Sequence, residues 1–169
     1  MQQRQSEIQR IVDPAERARQ SYQEQRRFFA KWDALLDAAT EGPDWLHNPQ
    51  IAELVGQSLH FFDKQRYDLL AFCLMINHVH VVLTPLLKAE DRYYPLAQIM
   101  HSIKGYTAGK ANQVLARQGA FWQHESYDHY ARDEDELDRI LAYVVNNPVK
   151  AGLVIDPHLW PWTYNKYDW

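Results

Sequence analysis

The chain has 169 residues, a formal net charge of −4 and a single cysteine, Cys73, which excludes a disulfide framework and favours a reducing cytoplasm. No apolar stretch approaches the roughly 18 residues that a membrane-spanning helix needs, and the first ten residues are too polar for a signal peptide. The net charge disfavours a nucleic-acid partner on average, but residues 92–124 carry cations and no acid, a segment that could hold a polyanion.

The first third of the chain carries apolar residues at helical spacing. This spacing predicts one helix over residues 5–39 and a second over residues 49–62, where Pro49 suits the first helical turn. Residues 67–74 and 78–84 are apolar and β-like, and only Met75, Ile76 and Asn77 separate them. The short separation predicts a hairpin.

Two more helices are expected in the second half. One covers residues 95–117. The other covers residues 133–146, with Asp133 as its cap, Glu136 at the third helical position and Pro148 as its stop. The chain then continues into an aromatic tail.

His78 and His80 lie one residue apart in the second predicted strand. Side chains at positions i and i+2 of a strand share a face, so the two imidazoles should converge. Such a pair suits one divalent cation, and two protein ligands leave that cation open to a substrate, which favours catalysis over a structural role. The alternative is a pair of hydrogen-bonded strand histidines.

Tyr106 lies in the sequence SIKGYTAGKANQ, among cations and small residues. A tyrosine hydroxyl near a metal can attack a phosphodiester and form a covalent phosphotyrosine. The alternative is an ordinary helix tyrosine with its ring in the core. Residues 119–130 hold aromatic side chains that either stack on unpaired bases or pack as a loop on the core. Residues 143–154 read as a helix stop and turn, in which Lys150 could meet a phosphate.

Taken in chain order, these stretches resemble the single-tyrosine HUH transposases, and specifically the REP-associated tyrosine transposases. The resemblance covers about residues 28–164 and rests on an ordered set of motifs. These are HVH at 78–80, SIKGYTAGKANQVLARQGAFWQ at 102–123, YDHYARDEDELDRILAYVVNNPVKAGLV at 127–154 and WPWTY at 160–164.

The resemblance implies a ferredoxin-like α+β fold, in which helices pack on an antiparallel sheet. It implies a single domain over residues 1–169, with a mainly helical lead-in at 1–66 and the catalytic part at 67–164. His78 and His80 are implied to hold Mg²⁺ or Mn²⁺. Tyr106 is implied to attack a single-stranded DNA phosphate, giving a 5′-phosphotyrosine and a free 3′-OH, with rejoining by the reverse attack.

The substrate that the resemblance implies is a repetitive extragenic palindromic (REP) hairpin with a short guide sequence at its foot. The protein is expected to act as a monomer or homodimer. Four residues of the nucleophile segment are candidates for binding this DNA: Lys104, Lys110, Arg117 and Trp122.

Three features depart from the family pattern. One is the turn before the histidines, where Ile76 replaces the usual proline, a change that loosens the turn but moves no ligand. A third metal-binding side chain, commonly Glu, Gln or Asn, usually follows the tyrosine by four residues, but Lys110 occupies that position and its ammonium has no lone pair. The first strand of the family has no counterpart in residues 1–27. The position of Lys110 and the missing strand leave open a non-catalytic binder of single-stranded or hairpin DNA on the same scaffold. A third alternative is an unrelated metal hydrolase that uses His78 and His80.

Overall fold

The computed structural model describes residues 2–37, 43–124 and 126–167. The chain divides into two compact units, Met1–Glu41 and Gly42–Trp169. The first unit contains helices α1 (Gln2–Gln9) and α2 (Pro14–Asp37).

The prediction of one continuous helix over residues 5–39 is wrong at residues 10–13, where the chain breaks and restarts. Asp13 Oδ1 accepts a hydrogen bond from the backbone N–H of Ala15 at 3.0 Å, and Pro14 supplies the first helical residue. A capping aspartate followed by proline is a strong start signal for a new helix. Residues 38 and 39 of the predicted helix lie outside the described residues.

The second unit is a mixed α+β structure built around an antiparallel sheet. Its elements in chain order are α3 (Pro49–Phe61), β1 (Tyr67–Leu74), β2 (Val79–Pro85), β3 (Leu87–Ala89), β4 (Arg92–Tyr93), α4 (Leu96–Val114), α5 (Glu134–Lys150) and β5 (Thr163–Asn165). The main sheet has the order β2–β1–β5, and β3 with β4 forms a separate two-stranded ribbon. The predicted fold class, an antiparallel sheet with helices packed on it, is confirmed.

Strands β1 and β2 form the predicted hairpin. Cys73 pairs with His80 across the two strands, and the backbone N–H of Met75 donates to the His78 carbonyl at 2.9 Å to close the turn. The register shifts between Leu69 and Ala71, which marks a β-bulge in β1. Among the described residues no strand pairs with the other side of β2, so the histidine strand lies at an edge of the main sheet.

Strand β1 is buried on both faces, and each face belongs to a different apolar cluster. Helices α3 and α4 pack on one face, and α5 packs on the other. The first cluster includes Ile51, Val55 and Leu59 of α3, Leu69 and Phe72 of β1, Ile99 and Ile103 of α4, and the inward side chains Val79, Val81 and Leu83 of β2. The second includes Leu70, Ala71 and Cys73 of β1, Leu141 and Val144 of α5, and Val82 of β2.

Helix α5 begins at a cap that the sequence predicts correctly. Asp133 Oδ1 accepts a hydrogen bond from the Glu136 backbone N–H at 2.7 Å. The buried Glu136 carboxylate in turn accepts from the Arg132 backbone N–H and contacts His129 Nε2, each at 3.0 Å. These contacts satisfy the backbone N–H groups and the buried carboxylate at the start of α5, and the cap fixes where the helix begins.

The predicted end of this helix at residue 146 is wrong, because α5 continues through Pro148 to Lys150. Proline removes one backbone donor from a helix interior. Pro148 is nevertheless fully buried here, and the Asn146 side chain donates to the Ala142 carbonyl at 2.8 Å in the same turn. Asn147 and Lys150 therefore lie on a helix rather than in a turn.

The aromatic tail completes the sheet, a role that its sequence did not reveal. Trp160 Nε1 donates to the Leu74 carbonyl and the Leu74 N–H donates to the Trp162 carbonyl, both at 2.9 Å. Tyr164 of β5 then pairs with Phe72 of β1. Across the described residues, no helix combines the length and apolar character needed to cross a bilayer.

Candidate metal and nucleophile site

His78 and His80 converge on the side of the sheet that α5 covers. Their Nε2 atoms lie 3.0 Å apart, with ring centroids 4.8 Å apart and ring planes at 87°. Both side chains are half-buried. The neighbouring Val79 and Val81 point the other way, into the first apolar cluster, as strand alternation requires.

Asn77 sets the orientation of the first imidazole. Its Oδ1 lies 2.7 Å from Nδ1 of His78. An amide oxygen only accepts hydrogen bonds, so Nδ1 of His78 carries the proton in this contact. The Nε2 atom of His78 consequently keeps its lone pair and directs it towards His80.

Asn147 reaches the second imidazole from α5. This residue is fully buried, and its Nδ2 lies 3.0 Å from Nε2 of His80. When the amide donates in this contact, Nε2 of His80 carries no proton, and its lone pair accepts the hydrogen bond. Two unprotonated imidazole nitrogens then lie 3.0 Å apart, an arrangement that a proton or a cation between them would stabilise.

The other polar atom of Asn147 supports a cation rather than a proton. Among the described residues, Asn147 Oδ1 has no hydrogen-bond partner although it is buried, which costs about 1–3 kcal/mol. A half-turn of the amide about its Cβ–Cγ bond exchanges Nδ2 and Oδ1 and places the oxygen beside the imidazoles. Two imidazole nitrogens and one amide oxygen suit a divalent cation.

Metal ligands of the commoner kind are not gathered elsewhere. In the described part of the chain, no three side chains of the His, Cys, Asp or Glu type come together as a metal site. The buried amide of Asn147 is the further donor that lies beside His78 and His80. Three such ligands would leave coordination positions for substrate oxygens.

Tyr143 lies against this cluster. Its ring meets that of His80 edge to face, with centroids 5.9 Å apart and planes at 89°. Tyr143, Asn147 and Lys150 occupy positions i, i+4 and i+7 of α5, a spacing that places them on one side of a helix. Lys150 Nζ donates a hydrogen bond to the Tyr143 hydroxyl oxygen at 3.1 Å.

Tyr106 does not lie with the histidines in this structure. It is on α4, which packs on the opposite face of the sheet through Ile99 and Ile103, and 55% of its surface is exposed. Lys110, one turn further on, is also exposed and lines a shallow groove of about 300 Å³ between α3 and α4. Tyr106 is separated from His78 and His80 because α4 and α5 pack on opposite faces of the sheet.

Three of the predicted DNA-binding residues make contacts within the protein. Lys104 Nζ donates to the Gln123 carbonyl at 3.1 Å and to Ser126 Oγ at 2.8 Å. Arg117 donates to Asn112 Oδ1 at 2.7 Å, and its guanidinium lies 4.0 Å from the Trp45 ring centroid.

Trp122 is held in the same way. Its Nε1 donates to Thr107 Oγ1 at 2.8 Å, and its ring meets Phe121 edge to face. With Lys104 and Arg117, it anchors the loop that follows α4.

Sequence reasoning did not single out Tyr143 and Asn147, which the structure places beside the histidines. The signal that could have found them is the spacing applied to Tyr106, a metal-binding side chain four residues after the tyrosine. Lys110 fails that test, whereas Asn147 meets it for Tyr143. Interpreting the Asn-Asn-Pro sequence as a helix stop hid the match.

Comparisons with known proteins agree on one family. The sequence profile described as "Transposase IS200 like" matches residues 46–147, a stretch that includes both histidines, Tyr143 and Asn147. A curated Haemophilus influenzae protein named "Putative REP-associated tyrosine transposase" is 27% identical to the chain over 103 residues.

That similarity covers 57% of this chain and 58% of the relative, so the chain spans little more than half the length of the curated protein it matches. No solved structure matches the chain. The family profile, however, covers more than half of the chain and contains the complete histidine, tyrosine and asparagine cluster. The protein therefore belongs to the IS200-like transposase family.

Proposed function

We propose that this protein cleaves and rejoins single-stranded DNA through a covalent 5′-phosphotyrosine, with Tyr143 as the nucleophile. The observation that carries the proposal is the position of α5, which sets Tyr143 against the His80 ring and Asn147 within 3.0 Å of His80 Nε2. Membership of a transposase family supports DNA as the substrate. Tyr143 takes the place that the sequence predicted for Tyr106.

In the proposed cleavage, the Tyr143 hydroxyl oxygen attacks a DNA phosphorus. The new oxygen–phosphorus bond forms as the bond from phosphorus to the 3′-oxygen breaks. The phenol loses one proton and the departing 3′-oxygen gains one, so protons balance. The reverse attack by a 3′-OH rejoins the strand and releases Tyr143, without consumption of water or nucleotide.

His78, His80 and Asn147 would hold the divalent metal, expected to be Mg²⁺ or Mn²⁺. Such an ion, when bound, polarises the phosphoryl oxygens and stabilises the charge that develops on them. The chain itself supplies the orientation. Asn77 holds the His78 ring through Nδ1, and α5 fixes the separation between the phenol and the amide.

The proposed substrate is single-stranded DNA with a REP-like hairpin, which the name of the H. influenzae relative supports. The internal contacts of Lys104, Arg117 and Trp122 favour a structural role for these three. Lys110 is exposed and stays a candidate for a phosphate contact. A cytoplasmic location and a monomeric or homodimeric state also stay predictions.

The test is covalent trapping on a labelled oligonucleotide. The protein is mixed with a hairpin that carries single-stranded flanks, in the presence of Mn²⁺, and denaturing gels then reveal any DNA-linked protein. Tyr143→Phe should abolish the adduct, because phenylalanine keeps the ring against His80 but has no hydroxyl. Tyr106→Phe and Tyr130→Phe, both at exposed positions, should retain it.

Mass spectrometry of the digested adduct should locate the phosphate on Tyr143. An adduct that survives Tyr143→Phe, or one that disappears in Tyr106→Phe, would show that the nucleophile is misassigned. Hairpin binding with no adduct in the unmodified protein would instead favour a non-catalytic DNA-binding protein. Metal-dependent cleavage that is indifferent to both tyrosines would favour a hydrolase.

A further inference from the structure

Lys150 makes a directed contact with the proposed nucleophile. Its Nζ lies 3.1 Å from the Tyr143 hydroxyl oxygen and 4.9 Å from the centre of the Tyr143 ring. An ammonium has donors only, so the phenol oxygen is the acceptor in this bond. One lone pair of the attacking atom is thereby committed, and the direction of its remaining lone pair and O–H is restricted.

The end of a helix offers a lysine other hydrogen-bond acceptors than a tyrosine hydroxyl. A lysine in the last turn of a helix commonly turns to the free backbone carbonyls at the helix end. The Lys150 ammonium also reaches back to the hydroxyl of Tyr143, whose backbone lies seven residues, or about 10 Å, nearer the helix start. Lys150 is exposed, so this bond adds little to folding, while its ammonium remains accessible to an incoming anion.

We propose that Lys150 is the positioning residue for the nucleophile. It holds the Tyr143 hydroxyl oxygen in place before the attack and contacts the phosphate once that phosphate is joined to the same oxygen. Lys150 gains and loses no proton in this role. The proposal rests on the proposed function of Tyr143 and adds the group that aligns it.

The arrangement on α5 explains how the Lys150 ammonium can contact the free Tyr143 hydroxyl before the attack and the phosphate in the covalent state. Asn147 lies between Tyr143 and Lys150 in the chain and on the same side of the helix, so the amide, phenol and ammonium all border the phosphate's expected position. In the covalent state the phosphate oxygens are bonded to the phosphorus beside the former hydroxyl oxygen. An ammonium already 3.1 Å from that oxygen lies within reach of them.

The test separates alignment from simple DNA affinity. Single-turnover adduct formation is measured over a range of hairpin concentrations for the native protein, Lys150→Met, Lys150→Arg and the exposed control Lys88→Met. Lys150→Met should lower the maximal rate about 10- to 100-fold, the scale of a misaligned reacting group. Its half-saturating DNA concentration should change less than about threefold, and Lys150→Arg should recover most of the rate.

Two results would overturn the role. One is an unchanged maximal rate in Lys150→Met. The other is an effect confined to the half-saturating DNA concentration, which would make Lys150 an ordinary phosphate contact. Lys88→Met should match the native protein throughout. Loss of the adduct in Tyr143→Phe combined with a fully active Lys150→Met would refute this inference alone, whereas an adduct that persists in Tyr143→Phe refutes the proposed function.

A second measurement needs no catalysis. The NMR resonance of the Lys150 ammonium should shift in Tyr143→Phe, because the acceptor oxygen is removed while the ring remains. The same resonance should be unaffected in Tyr106→Phe. An ammonium signal that is identical in the native protein and Tyr143→Phe would show that the contact does not exist in solution.

Discussion

The amide of Asn147 lies 3.0 Å from Nε2 of His80, although 67 positions separate the two residues in the chain. A hairpin strand provides the imidazoles, and a helix from the other end of the domain provides the amide. Because Tyr143 is one helical turn before Asn147, any packing that brings the amide to His80 also brings the phenol there. The candidate site is thus assembled by the docking of α5 on the sheet.

Removal of the Asn147 amide should weaken metal binding. We expect Asn147→Ala to reduce Mn²⁺ affinity at least about tenfold, because the proposed third ligand is lost. Asn147→Asp should retain or strengthen the binding, since a carboxylate is a better oxygen ligand. Titration calorimetry or the EPR signal of free Mn²⁺ measures the affinity.

The matched control for that experiment is Asn146→Ala. Asn146 is exposed and donates to the Ala142 carbonyl, so its loss should leave Mn²⁺ affinity within about twofold of native. Native-like affinity in Asn147→Ala would remove the amide from the proposed ligand set.

Asn77 should matter through His78 rather than through the metal itself. Its oxygen accepts from Nδ1 of His78 at 2.7 Å, the contact that keeps Nε2 available as a ligand. We expect Asn77→Ala to reduce Mn²⁺ affinity roughly tenfold, as other changes behind a histidine ligand do. Asn77→Asp keeps an acceptor and should preserve the affinity. Equal losses in both variants would point to a damaged turn instead.

Trp122 should contribute to stability more than to DNA binding. Trp122→Phe removes the donor to Thr107 Oγ1, a fully buried atom, and should lower the free energy of unfolding by about 1–2 kcal/mol. Hairpin affinity, measured by fluorescence anisotropy, should stay within about twofold. A stable variant that has lost DNA affinity would restore the base-stacking interpretation of this side chain.

Acid should weaken the link between β1 and β5. Burial tends to raise the pKa of Asp68, but hydrogen bonds from Lys166, at 2.7 Å, and from Lys64 outweigh it and hold the pKa below its ordinary value of 3.8. A carboxyl whose pKa is lowered by folding stabilises the fold above the unfolded value, and this contribution is lost as the pH falls through the folded value.

Asp68→Asn should therefore lower the free energy of unfolding by at most about 1 kcal/mol at pH 7, the range for a largely solvent-accessible pair. The difference between variant and native protein should vanish below the folded pKa, at acid pH under 3.8. Urea unfolding at neutral and acid pH measures both values. If the difference in unfolding free energy persists at acid pH, the Asp68→Asn substitution acts through packing rather than through charge.

Local patterns were sufficient for the hairpin and its histidines. A strand repeats every two residues, so the convergence of His78 and His80 follows from their spacing alone. The Asp133 and Glu136 cap likewise depends only on neighbours in the chain. These features could be predicted because no distant contact decides them.

The position of the tyrosines was beyond such reasoning. Tyr106 and Tyr143 both lie on amphipathic helices, and only the packing of α4 and α5 on opposite faces of the sheet distinguishes them. Pro148 also misled the prediction, because burial keeps it within the helix against its usual preference. Similarly, the pairing of β5 with β1 is a long-range contact, and a strand of three residues is too short to be predicted from its sequence pattern.

Since a single rigid helix carries Tyr143, Asn147 and Lys150, their mutual spacing follows from the helical repeat. An insertion or deletion of one residue between positions 143 and 150 would turn the later side chains about 100° around the helix axis and separate the phenol from its neighbours. Length changes in the connection at residues 115–133 would leave that spacing intact. Evolutionary insertions among relatives should accordingly accumulate in the connection and be absent from the eight residues that begin at Tyr143.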